Sequence, residues 1–148
     1  MDGFQIKEYK DINLLNDFSH DHYFDLDKIS FGNNIFTIPL QKPGADNVRV
    51  LKKFLFFRML EIPVLEFDIK VFNCTSFELT DTEQIGIYAI NTFEYFSQLG
   101  ILKVNTAPDL NIVIHVDNLL IEVSEIGRHV GWKKRFVIGN SKPPVNYF

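Results

Sequence analysis

The segment Val64-Leu65-Glu66-Phe67-Asp68-Ile69-Lys70-Val71 alternates between apolar and charged side chains from Leu65 onwards. Successive side chains of a β-strand point to opposite faces of the sheet, so the apolar side chains share one face and the charged ones share the other. A strand with one apolar and one solvated face is typical of an antiparallel sheet that covers a core. This segment therefore indicates the fold class.

Similar patterns on both sides of this segment predict further strands. They cover residues 23–31, 35–40, 48–60, 84–91, 93–96, 100–104, 110–116, 119–123 and 130–138. Gly32-Asn33-Asn34 is expected to turn the chain between the first two strands, because Gly and Asn admit positive φ. Pro39 cannot donate to a ladder and is expected at a locally open edge, while Pro63 is expected to interrupt the sheet after residue 60.

The N-terminal part of the chain predicts a helix. Ile12, Leu14, Leu15 and Phe18 recur at helical spacing within residues 10–19. Many short strands separated by turns, together with one short N-terminal helix, predict a single α+β domain over residues 1–148. We expect a mostly antiparallel β-sandwich or a strongly bent sheet, with residues 140–148 forming a C-terminal tail.

The composition favours a strand-rich globular protein. The 148 residues include 15 Phe and 16 Ile but only three Ala, and such a set suits pleated surfaces better than helix surfaces. A single cysteine, Cys74, excludes an internal disulfide and predicts a reduced, cytoplasmic protein. No apolar run approaches the roughly 20 residues of a bilayer crossing, and the first residues lack a signal peptide's apolar core, so no membrane contact is expected.

Charge is distributed unevenly along the chain. Residues 1–125 carry a net charge of −9, whereas residues 126–148 carry +5 and contain no acid, within a total of −4. An acidic body repels phosphates, so we do not expect nucleic-acid binding. A dipolar surface instead favours an acidic protein partner or a second copy of the chain.

The basic stretch around Trp132 and Phe136 supplies the candidate partner-binding residues. Strand alternation places these two rings on one face and Lys133 and Arg135 on the other, so Trp132 is expected in the core. The cations are expected to pair with neighbouring acidic strands or to meet a partner. The predicted partner-binding residues are Arg128, Lys133 and Arg135.

Ser19-His20-Asp21-His22 is the strongest candidate for chemistry. On a strand, His20 and His22 would lie on the same face, and an i, i+2 histidine pair can chelate a divalent metal. The candidates for a third ligand are Asp25 first, then Asp27, His115 and His129. The alternative interpretation is a helix-to-strand connector whose side chains cap backbone groups.

Other catalytic patterns are missing from the sequence. It contains no nucleophile elbow and no glycine-rich phosphate loop, and Cys74 has no neighbouring histidine, so we expect no catalytic residue and no cofactor. The many aromatic residues allow a further hypothesis, a pocket for a small apolar ligand, although they would equally fill a packed core.

The segment Leu14-Leu15-Asn16-Asp17-Phe18-Ser19-His20-Asp21, followed by the hairpin that ends in Thr37-Ile38-Pro39-Leu40, resembles a group of small bacterial β-rich domains. In those domains a short helix leads to a His-Asp pair and a meander of strands, and residues 114–122 are similar to their closing strands. Some of them are classed as immunity proteins of toxin systems, and many have no assigned function. The resemblance implies a non-enzymatic, cytoplasmic binding protein and carries over no site residue.

These observations favour a non-enzymatic binding protein that engages a protein partner or self-associates. The two alternatives are a metal-dependent enzyme that uses the His20/His22 cluster and a carrier of a small apolar ligand.

Overall fold

The structure is a computed structural model that describes residues 3–44, 48–81, 83–124 and 127–138. In these ranges the chain forms one α-helix, two short 3₁₀ helices and twelve strands. The elements are β1 (Phe4–Ile6), a 3₁₀ helix (Tyr9–Asp11), α1 (Ile12–Ser19), β2 (Tyr23–Asp25), a 3₁₀ helix (Leu26–Lys28), β3 (Ser30–Gly32), β4 (Ile35–Pro43), β5 (Arg49–Phe54), β6 (Phe57–Val71), β7 (Cys74–Thr80), β8 (Ile87–Phe96), β9 (Ile101–Ala107), β10 (Asn111–Val116), β11 (Ile121–Val123) and β12 (Arg128–Ile138). The predicted tail, residues 140–148, lies outside the described residues.

All strands of the described ranges belong to one antiparallel sheet that bends strongly. Its main order is β1-β11-β6-β4-β2-β8-β9-β10-β7, while β3 pairs with β4, and both β5 and β12 pair with β6. The bend brings the turn between β3 and β4 close to the start of β7, the strand at the far end of this order. There the Cys74 amide donates to the Asn34 carbonyl at 2.9 Å. The predicted α+β fold with a mostly antiparallel sheet and a short N-terminal helix is confirmed.

Helix α1 packs on the inner face of the sheet because its apolar residues recur at helical spacing. The Phe18 ring makes edge-to-face contacts with the Phe4 and Phe67 rings, at centroid distances of 5.5 and 5.4 Å. The Asn16 side chain holds α1 against β8, since it donates to the Phe93 carbonyl and accepts from the Phe93 amide. Within the described part of the chain, no helix has the length and apolar character that a membrane crossing needs.

Two details of the β4 region agree with the sequence. Asn33 and Asn34 both have positive φ and form the turn between β3 and β4, as predicted. Pro39 lies opposite Asp68, whose backbone amide and carbonyl face away from β4 and bond to Ser124. On its other side β4 pairs with β3 at residues 35–37 and with β2 at residues 40–41. Pro39 falls between these two pairings, so its missing N–H group leaves no ladder bond unmade.

Several predicted strand boundaries are wrong. The predicted strands 84–91 and 93–96 form the single strand β8, and β7 has no predicted counterpart. Residues 23–31 form two short strands with a 3₁₀ helix between them. Residues 48–60 form not one strand but two, which reverse direction at a turn where Leu55 has a φ of +50°. Pro63 does not interrupt the sheet, since β6 runs through it and Pro63 pairs with Trp132.

Strand β6 serves two parts of the sheet. Its second half pairs with β4 and β11 over the main core, and its first half pairs with β5 and β12. The charged side of the predicted segment is also less solvated than expected. Glu66 is buried, because Arg128 and Lys28 cover its carboxylate.

The entry into β12 depends on Gly127. A Cβ at this position would lie 2.7 Å from the Cζ of Phe67 and 2.9 Å from the Cβ of Leu65, whereas a Cβ at Gly131 would meet nothing within 4 Å. We expect Gly127→Ala to lower the free energy of unfolding by about 1–3 kcal/mol, because the core must shift to admit the methyl group. Gly131→Ala is the matched control and should change it by only a few tenths of a kcal/mol. Chemical denaturation measures both, and equal effects would contradict this packing.

Candidate functional site

A three-stranded arm projects from the body of the sheet. Its central strand is the first half of β6, which pairs with β5 on one side and with β12 on the other. In the described residues, positions 57–63 of β6 pair with no other strand. We call residues 48–63 and 131–138 the arm, and the remainder of the described chain the body.

The pairing register places five large apolar side chains on one face of the arm. Directly opposite residues of antiparallel strands share a face, and the face alternates with each residue. Phe57 pairs with both Phe54 and Ile138, and Met59 pairs with Phe136. We call this set, Phe54, Phe57, Met59, Phe136 and Ile138, the aromatic face.

The aromatic face is open to solvent. The exposed fractions are 71% for Phe54, 48% for Phe57, 69% for Phe136 and 70% for Ile138, and the turn at the end of the arm adds 83% for Leu55 and 73% for Phe56. Monomeric proteins rarely expose contiguous apolar patches of more than a few hundred Å², and larger patches mark interaction sites. The arm is therefore the strongest candidate for a binding surface.

The opposite face of the arm combines a small apolar cluster with cations. Leu60, Ile62 and Val137 are buried there. The register places four cations on the same side, and we call them the cationic face: Lys53, Arg58, Lys133 and Arg135. The whole arm holds seven Lys and Arg residues against one acid, Glu61.

The base of the aromatic face is also basic. The Arg49 guanidinium lies over the Trp132 ring at 4.0 Å from its centroid, in a cation–π contact. Trp132, which is expected in the core, is half-buried, and Phe136 on the same face is exposed. Val137, on the opposite face, is the buried residue, because the arm's small apolar cluster lies on that side.

The three predicted partner-binding residues occupy different environments. Lys133 and Arg135 lie on the cationic face of the arm. Arg128 lies at the start of β12 on the body, where its guanidinium donates to both oxygens of Asp68 at 2.9 and 2.8 Å and to Glu66 at 2.8 Å. Arg128 is thus bound to the neighbouring acidic strand, and the structure does not join it to the other two in one surface.

This ion-pair cluster shifts the titration of both acids. Burial raises the pKa of Glu66, but hydrogen bonds from Arg128 and Lys28 outweigh it, and the pKa is lowered overall. The hydrogen bonds from Arg128 lower the pKa of Asp68. Both carboxylates therefore stay ionised well below neutral pH and stabilise the junction between β6 and β12.

The His20 cluster joins α1 to β2 above an open groove of about 380 Å³. His20 uses both ring nitrogens, since Nδ1 lies 2.8 Å from the Asn91 carbonyl and Nε2 lies 3.3 Å from an Asp21 oxygen. Asp25 accepts a hydrogen bond from the Asp27 amide and caps the following 3₁₀ helix. In the ranges that the structure describes, no three His, Cys, Asp or Glu residues are placed to hold a metal ion. The geometry favours the connector interpretation over a ligand set formed by His20, His22 and Asp25.

The aromatic residues do not converge on one pocket. Phe67, Tyr88 and Phe93 are buried in the main core, whereas Phe54 and Phe56 lie at the end of the arm. The grooves at the surface of the described residues are open and partly polar, such as one of about 650 Å³ beside β1 and β11. This arrangement gives no support to a carrier of a small apolar ligand.

Sequence reasoning missed the arm because it interpreted residues 48–60 as one strand. The available signal was Lys52-Lys53-Phe54-Leu55-Phe56-Phe57-Arg58, in which four consecutive apolar residues lie between cations. Such a run cannot belong to a half-buried strand that alternates, and an exposed apolar run is a feature of binding surfaces.

Removing Arg128 should weaken the junction between β6 and β12 in a pH-dependent way. At pH 7 we expect Arg128→Gln to cost about 1–2 kcal/mol of unfolding free energy, a value reduced because the guanidinium is half-exposed. The folded-state pKa values of Glu66 and Asp68 are lowered, so their contribution is present above about pH 4 and is lost as the pH falls further. Denaturation from pH 7 to pH 3 should show the difference between variant and wild type shrinking. Lys7→Gln, at an exposed position, is the control. A difference in unfolding free energy that stays constant from pH 7 to pH 3 would contradict its assignment to these ion pairs.

The pH dependence of stability should also carry a contribution from His22. Burial and then the nearby Lys42 lower the pKa of His22 to about 4, against an ordinary value near 6.5. The unfolded chain therefore binds this proton first, and folded stability falls between about pH 6.5 and pH 4. We expect wild type to lose about 1–2 kcal/mol more than His22→Gln between pH 7 and pH 5. Denaturation curves at both pH values give the change in unfolding free energy for each protein. Equal changes in wild type and His22→Gln would refute this assignment.

No family model, curated protein or solved structure matches this chain. The resemblance of residues 14–21 to immunity-like domains stays a prediction, and the chain's own geometry is the remaining guide to its function. That geometry singles out the arm, with its exposed aromatic face and its excess of cations.

Proposed function

We propose that this chain is a non-enzymatic binding protein whose arm docks on the surface of another protein molecule. The observation that carries the proposal is the exposed aromatic face of Phe54, Phe57, Met59, Phe136 and Ile138. Burying such side chains is the main source of free energy in protein association, and aromatic residues are enriched at the centres of interfaces. The body then acts as a rigid support that holds the arm away from the core.

Stability alone does not account for the residues at the end of the arm. Leu55 has a φ of +50°, a left-handed conformation that costs a non-glycine residue roughly 1–2 kcal/mol and that Asn or Gly would adopt more easily. Its side chain also remains 83% exposed, so it contributes little to the core. Unfavourable backbone conformations of this kind persist where function requires them.

The proposal allows two kinds of partner. It is either a foreign protein, as in an immunity-like role towards a toxin, or a second copy of this chain. The cations around the arm favour a surface that tolerates positive charge. We place the protein in the cytoplasm, where a chain with the single, buried Cys74 needs no disulfide.

A photo-crosslinking experiment tests the proposal. p-Benzoylphenylalanine in place of Phe136 on the arm should form cross-links to protein in the cells that naturally make this chain, at least about fivefold more than the same group in place of Phe96 on the body. Phe96 is the matched control because it is also a strand phenylalanine and is 42% exposed. Equal or absent cross-linking at the two positions would reject an arm-mediated contact. If the purified protein contains stoichiometric metal and His20→Ala loses it, the alternative of a metal-dependent enzyme would be supported instead.

A further inference from the structure

We propose that two copies of this chain associate through their arms, with the aromatic faces packed against each other and the two bodies at opposite ends. This inference rests on the proposed function and commits it to one partner, a second copy of the chain. Each copy uses the same surface, so the contact is two-fold symmetric and closes at a dimer.

The exposed apolar area suits an interface of this kind. Phe54, Phe57, Phe136 and Ile138 together expose roughly 500 Å² at the fractions given above, taking about 200 Å² for a large side chain. A standard interface buries about 800 Å² on each partner. The stems of the neighbouring Lys52 and Lys134 and the side chain of Met59 supply much of the remaining area, since long charged side chains cover apolar surface while their charged ends stay in water.

The order of residues along the aromatic face makes it complementary to itself when reversed. The end of the arm is purely apolar, with Phe54, Phe57 and Ile138 in one row. The base carries Arg49 and Lys134, both directly opposite Glu61 in the strand register, and Lys52 lies between the base and the end, opposite Met59. In an antiparallel arrangement the aromatic end of each arm lies over the cationic base of the other, where rings and cations attract each other. Two sheets that pack face to face lie about 10 Å apart, within reach of these side chains.

The charge distribution favours a second copy over an anionic lipid surface or an acidic protein. Lys53, Arg58, Lys133 and Arg135 lie on the opposite face and point away from the aromatic face. Arg49, Lys52 and Lys134 lie on the aromatic face itself, so an anionic partner that covered this face would meet only three of the arm's seven cations. The antiparallel arrangement also separates the two bodies, which matters because 18 of the 19 acidic residues lie outside the arm.

Sedimentation equilibrium of the full chain tests the proposal. Between about 1 and 200 µM we expect a monomer–dimer equilibrium with a Kd of roughly 1–100 µM. The variant Phe54→Ser/Phe136→Ser should weaken it by at least about tenfold, because these two side chains lie within the proposed interface. Both side chains are about 70% exposed, so the fold should persist, and far-ultraviolet circular dichroism confirms that it does.

A second variant separates this interface from an insertion of the arm's end into lipid. Leu55→Asn/Phe56→Ser removes a similar apolar area from the turn, and Asn tolerates the positive φ at position 55. It should leave the dimer within about threefold of wild type. Raising the salt from 0.1 to 0.5 M should leave the dimer equally tight or tighter, because the like charges of Lys52 and Lys134 are screened.

Three results would overturn the inference. A chain that remains monomeric at 200 µM has no such dimer. A dimer that tolerates Phe54→Ser/Phe136→Ser uses another surface. Binding to vesicles of phosphatidylcholine with 30% phosphatidylserine that is lost in Leu55→Asn/Phe56→Ser and weakened by salt would assign the arm to an anionic membrane. If the chain is monomeric but cross-links from position 136 to a foreign protein, the inference fails while the proposed function stands.

Discussion

The structure depends on the continuity of one strand, β6. Its 15 residues leave the core between β4 and β11 and continue as the centre of the arm between β5 and β12. Because one uninterrupted strand spans both parts, the register of the body also determines which side chains of the arm share a face. A slip of one residue would turn Phe57 and Met59 to the other side and bring Arg58 to the aromatic face. The ion pairs from Arg128 to Glu66 and Asp68 fix the register of β12 at the junction.

Most strands of the body could be predicted from sequence because local patterns and packing agree there, but β7 has no predicted counterpart and residues 23–31 form two strands instead of one. The alternation in residues 64–71 and the Asn33–Asn34 turn both occur as expected. Burial alone determines the first, and the need for positive φ alone determines the second. The arm could not be predicted in the same way. Its turn consists of Leu55 and Phe56, which carry no turn signal, so the chain reverses where side-chain chemistry predicts continuation. The cost of that mismatch is consistent with selection for a surface rather than for stability.

The candidate site was located only in part, for a related reason. The charge distribution indicates a basic C-terminal segment. Strand pairing, which composition does not reveal, is what places its Lys133 and Arg135 on the same face as Lys53 and Arg58. Alternation correctly divided β12 into two faces. It could not decide which face was buried, because both carry apolar and charged side chains, and Val137 rather than Phe136 lies in the small cluster. Sequence patterns detect residues that are neighbours along the chain, such as those of the His20 cluster, but not residues that only the fold brings together.

An exposed aromatic face on an open sheet is a hazard as well as a binding surface, and the cations limit that hazard. Both outer strands of the arm, β5 and β12, present an unpaired edge in the described structure, and such edges invite open-ended pairing. Lys52 and Lys53 on β5 and Lys133 and Lys134 on β12 place like charges along these edges, which opposes the addition of a further arm. The cationic face likewise opposes stacking on the far side. The aromatic face also carries cations, but among the described residues it is the face of the arm where large apolar side chains are exposed together, so the proposed association of two copies gains its apolar burial there.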